Sequence, residues 1–79
     1  MGEPNLSEEK IIKDLYRDVF NYQEKWRGIV MNDPRWEAML EESNVLSDKY
    51  KQYNKSIWKL CTYMLSGVIT FQEFKQKGE

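Results

Sequence analysis

Histidine is absent from this 79-residue chain, and Cys61 is its only cysteine. An intramolecular disulfide is therefore impossible, and a structural zinc site lacks its usual ligands. A lone unpaired thiol fits a reducing compartment, so a cytoplasmic location is expected. No long hydrophobic run is present either. The uncharged stretch from Leu60 to Gln72 is shorter than the ~20 apolar residues of a spanning helix. The opening MGEPNLSEEK has no apolar core and no positive flank, so it does not read as a secretory signal. Leu6 stands where a myristoylation pattern needs Ser or Thr. A large charge of one sign is missing too. Twelve basic residues nearly balance thirteen acidic ones, for a net charge of −1. That balance argues against a polycationic nucleic-acid binder and against an acidic DNA mimic.

Chemistry-bearing constellations are equally sparse. Without His, a nucleophile lacks its commonest base. Cys61 lies near an apolar helical arc and reads as a small buried hydrophobe. Glu8-Glu9 and Glu41-Glu42 are neighbours in sequence on helices, so each pair diverges into solvent. No glycine-rich phosphate loop occurs, and the chain has no internal repeat. The expectation is a protein that is not an enzyme and uses no cofactor or metal.

What is present is aromatic and helical. Aromatic residues make up 14% of the chain, with three Trp, far from the aromatic-poor composition of disordered chains. One all-α domain over residues 1–79 is expected, with residues 1–6 as a flexible N-terminus. Ser7 is a good N-cap, followed by Glu8 and Glu9. At about 100° per residue, Ile11, Ile12, Leu15, Tyr16, Val19, Phe20, Tyr22 and Trp26 fill one half of a wheel. A helix over 8–27 follows, ended by Gly28. In NDPRWE, Asp33 reads as the next cap and Pro34 as the first helical residue. Steps of three and four then run from Trp36 through Met39, Ser43, Leu46, Tyr50, Tyr53, Ile57, Leu60 and Met64. This seam predicts one long helix over 34–65, forming an antiparallel hairpin with the first; its weakest point is Ser43-Asn44. Gly67 fits a helix terminus, and Thr70 with Glu73 forms a capping box. A short third helix over 71–77 is the result.

The corner LSGVITFQEFKQK, residues 65–77, resembles the short C-terminal SHOCT modules, with Leu65, Gly67, Ile69, Thr70, Glu73 and Phe74 at the matching positions. The resemblance implies a small helical hairpin used for oligomerisation or partner contact.

A chain this small buries only about 60% of the surface its unfolded form exposes, so it gains much from a companion. A rod of about 48 Å would outrun a first helix of about 30 Å, leaving apolar surface uncovered. The expected function is a non-catalytic protein–protein interaction module that completes its bundle by self-association, most simply as a homodimer, or clamps another protein. An inhibitor or regulator of a larger machine, encoded by a virus such as a phage or by another mobile element, has this character. The expected contact residues are Tyr50, Tyr53, Ile57, Trp58, Met64, Leu65, Phe71 and Phe74. The competing expectation is a small nucleic-acid binder whose Lys49, Lys51, Lys55 and Lys59 surround Trp58. In the bland version of that cluster, the lysine stems simply lie over the indole on a solvated helix back.

Overall fold

The computed structural model describes residues 7–78; the expected flexible segment 1–6 lies outside them. Three helices account for 85% of the described residues, and no strand occurs among them. They are α1 (Glu8–Arg27), α2 (Asp33–Lys51) and α3 (Lys55–Gln76). The first is bounded as its spacing predicts. Ser7 Oγ accepts the Lys10 N–H at 3.2 Å, and Glu8 and Glu9 sit at the positive end of the helix. Gly28 ends it at a negative φ of −96°, so no left-handed residue is needed there.

The helix expected over 34–65 is in fact two helices. Asn32, not Asp33, caps α2, its Oδ1 accepting the Arg35 N–H at 3.0 Å. The chain then passes unbroken through Ser43-Asn44. Ser43 Oγ donates to the Leu40 carbonyl at 2.7 Å, so the polar residue in the seam is satisfied inside its own helix. The break falls at Gln52–Asn54 instead. There Asn54 Oδ1 accepts the Ile57 N–H at 2.9 Å and starts α3. Tyr50 and Ile57 are both buried on either side of this turn, which is why the apolar spacing ran through it.

The predicted turn at Gly67 and separate helix over 71–77 are also corrected. Gly67 lies inside α3, and Thr70 caps nothing. Tertiary packing overrides local propensity here. Ile57, Cys61, Leu65, Val68 and Gln72 form one continuous buried stripe at steps of three and four.

Contacts along the helices give the topology. Asp18 meets Lys49 and Tyr50, whereas Trp26 meets Glu42, so α1 and α2 are antiparallel. Trp58 meets Ser47 near the turn and Met31 meets Gln76 at the far end, so α2 and α3 are antiparallel as well. This up-down-up arrangement closes a core within one chain. Leu15, Met39 and Cys61, one from each helix, are wholly buried, with Ile11, Val19, Tyr22, Trp26, Tyr50, Ile57, Leu65 and Val68 around them. Each large apolar side chain sealed in this way stabilises the fold by about 1.5–3 kcal/mol.

Candidate interaction surface

A three-helix bundle has three outer grooves, and here they differ in chemistry. The α1/α2 groove is charged. Asp18 accepts from Lys49 Nζ at 2.7 Å and from the Tyr50 hydroxyl at 2.6 Å. Glu42 accepts from Lys25 Nζ at 3.1 Å and from the Trp26 indole at 3.0 Å. A shallow cavity of about 360 Å³ lies between these pairs. All four charged groups are engaged in holding α1 to α2, so the cavity offers no free acid, base or nucleophile. Burial pushes the Asp18 pKa up, but the Lys49 and Tyr50 hydrogen bonds, with the charges of Lys49 and Arg17, outweigh it and hold the carboxyl below its ordinary value. The Tyr22 phenol, which donates to the Met39 carbonyl at 2.7 Å, is pushed up to about 12, chiefly by burial.

The α2/α3 groove is lined by small polar side chains, Ser43, Asn44, Ser47, Thr62 and Ser66, beside Leu65 and Ile69. Cys61 lies beneath it, its Sγ 3.9 Å from the Leu46 carbonyl. Burial, reinforced by the charge of Asp18, raises the thiol's pKa. It is a protonated core residue rather than a reactive nucleophile.

The α1/α3 side is different. Asp18 and Lys25 mark the edge of α1 that faces α2. Counting about 100° per residue from them, the opposite edge of α1 carries Ile12, Tyr16, Phe20 and Gln23. On α3 the edge away from Trp58 and Thr62 carries Leu60, Tyr63, Met64, Gly67, Phe71 and Phe74. Ile12, Leu60 and Met64 are half-buried along this seam. The five rings are not covered. Tyr16 is 54% exposed, Phe20 59%, Tyr63 71%, Phe71 37% and Phe74 53%. At about 200 Å² per aromatic side chain, they leave roughly 500 Å² in water. That is the upper end of what a typical monomer shows in one apolar patch.

The residues expected to make contacts are divided by the fold. Tyr50, Ile57 and Leu65 are buried in the core of the chain itself. Tyr53 sits exposed at the α2–α3 turn, its ring 5.9 Å from that of Tyr50. Met64, Phe71 and Phe74 fall on the α1/α3 face. Trp58 lies on the other side of α3, half-buried, its indole N–H donating to Ser47 Oγ at 2.9 Å. The four lysines do not form a single free cluster. Lys49 is bound to Asp18, whereas Lys51 and Lys59 place their Nζ atoms 5.4 and 5.9 Å from the Trp58 ring centroid. Lys55 is exposed at the start of α3. The ammonium groups of Lys51 and Lys59 both stand at cation–π distance from the indole.

Tyr16, Phe20 and Tyr63 were not among the expected contact residues. The signal for two of them was the width of the apolar half of α1, which exceeds what packing against neighbours within one chain requires.

No protein family, curated protein sequence or solved structure matches this chain. Fold and surface define it as an all-α, up-down-up three-helix protein with an aromatic α1/α3 face. Among the described residues, no helix is long and apolar enough to cross a membrane. No group of three His, Cys, Asp or Glu able to hold a metal ion occurs among them.

Proposed function

We propose that this chain is a non-catalytic protein–protein interaction module that docks through its α1/α3 face, with another protein surface as the occupant, a second copy included. The observation that carries this reading is the row of five exposed rings on two neighbouring helices. Aromatic side chains anchor interfaces because they bury much area at little conformational cost. Lysines extend over two of these rings, Lys75 over Phe71 at 6.0 Å and Lys77 over Phe74 at 5.6 Å. Their ammonium groups supply the polar rim that usually surrounds such a patch. The other two grooves are occupied by internal ion pairs or by small polar side chains that offer little contact energy.

The test compares two baits in an extract of the native host. One is the wild-type chain; the other carries Phe20→Glu and Tyr63→Glu. Both side chains are exposed, so the variant should keep its helicity and melting temperature. Wild type is expected to retain protein that the variant loses. Identical retention by both baits, or retention that depends on nucleic acid, would overturn the reading.

A further inference from the structure

Gly67 lies in the middle of α3, where glycine weakens a helix relative to alanine. Nothing within the chain requires it. A Cβ built there meets no atom within 4 Å, and its φ is not in the left-handed range. Its open side lies on the α1/α3 face. A backbone left bare on an apolar face permits close approach by a side chain from outside the molecule.

The same face carries a side chain of the kind such a notch accepts. Gln72 Nε2 donates to the Trp26 carbonyl at 2.7 Å, which fixes the register of the parallel helices α1 and α3. Six residues back along each helix stand Phe20 and Ser66. At about 1.5 Å rise per residue, the projecting Phe20 ring and the Gly67 notch are at nearly the same height. A two-fold axis running along the bundle lays α1 of one protomer over α3 of its partner. It therefore sets each Phe20 against the partner subunit's Gly67 in one operation. Knob and notch at equal height are what an isologous interface requires of a single surface.

Area and charge are compatible with this occupant. The five rings supply roughly 500 Å² per copy, and the half-buried Ile12, Leu60 and Met64 with their rim bring the face toward the ~800 Å² per partner of a standard stable interface. The α1 rim is neutralised internally by Glu9–Lys13 at 3.5 Å and Glu24–Arg27 at 2.9 Å, so it does not repel the lysines that rim α3.

We infer that the occupant of the α1/α3 face is a second copy of this chain, docked about a two-fold axis with Phe20 of each protomer over the partner subunit's Gly67. This rests on the face being the binding surface, as proposed above. The test is light scattering on the full chain at about 100 µM, a concentration at which a Kd of ~1 µM leaves mostly dimer. Wild type should show twice the 9.6 kDa chain mass. Gly67→Gln should show the monomer mass, with helicity retained because the added side chain meets nothing within its own chain. Val45→Glu, at an exposed position on α2, should remain dimeric. A wild-type mass of 9.6 kDa overturns the second copy as occupant, as does a dimer that survives Gly67→Gln. Neither result removes the face as a binding surface, which the Phe20→Glu/Tyr63→Glu capture decides separately.

Discussion

At the residue scale, two polar side chains hold elements that apolar packing alone leaves loose. Gln72 is buried and donates to the carbonyls of Trp26 and Ile29, at 2.7 and 3.2 Å. Both acceptors lie where α1 gives way to the connector; the Trp26 carbonyl also accepts the Ile29 N–H at 3.0 Å, and the Ile29 carbonyl also accepts from Gln76 Nε2 at 3.3 Å. Gln72→Leu is close in size but removes one donor from each carbonyl, so it should lower stability by about 1 kcal/mol in urea unfolding. Gln76→Leu, at the exposed end of α3, should cost less. None of this was legible in the sequence, because a glutamine in an uncharged run gives no sign of which carbonyls it will reach. Asp18 is the second case. Its depressed pKa contributes stability that is fully present above the unfolded value near 3.8 and is lost as pH falls through the folded value. Unfolding followed by circular dichroism should show wild type losing stability below about pH 4. Asp18→Asn, which cannot titrate, should be less stable at neutral pH and flatter across that acid range. The raised Tyr22 pKa acts at the other extreme. Its contribution is present below pH 10 and is lost as pH rises toward 12.

Among the elements, α1 was fully legible, because its cap, its apolar half and its terminal glycine agree. The later elements were not, and the reasons are particular. The break at Gln52–Asn54 contains no Gly or Pro. Its only marker is Asn54, whose capping role competes with an apolar spacing that continues from Tyr50 to Ile57. Gly67 misled in the opposite direction, since a glycine followed by a T-x-x-E box has every local mark of a helix end. Burial of Val68 and Gln72 beyond it keeps the helix going. The start of α3 therefore rests on the Asn54 cap. Asn54→Ala should cost about 1 kcal/mol, within the 0.5–2 kcal/mol range of cap losses. It should loosen the start of α3, raising amide exchange at Ile57 and Trp58 while leaving α1 unchanged. Equal loss of protection in all three helices would mean that the cap acts only through global stability.

For the molecule as a whole, splitting the expected rod in two changes where its apolar surface goes. Much of the surface thought to project beyond α1 is folded back as α3, and Tyr50, Ile57 and Leu65 become core. The candidate surface moves to the aromatic edge of α1 and the adjoining edge of α3. Sequence periodicity marks which half of a helix is apolar, but not which part of that half its neighbours cover. A protein-docking surface and a nucleic-acid surface differ in their dependence on salt. Attachment through uncharged rings hardly depends on ionic strength, whereas phosphate binding releases counterions and weakens steeply as salt rises. Lys49 is already paired with Asp18, and the exposed Glu37, Glu41 and Asp48 lie on α2, the helix that carries Lys51. Light scattering should therefore give the same mass at about 50 mM and about 500 mM salt, although exposed ion pairs are largely screened across that range. A labelled oligonucleotide titrated with the chain at about 150 mM salt should show no saturable change in anisotropy at micromolar protein. Tight binding that collapses with salt, and that is lost in Lys51→Ala/Lys59→Ala, would instead move the functional surface to the other side of α3, around Trp58.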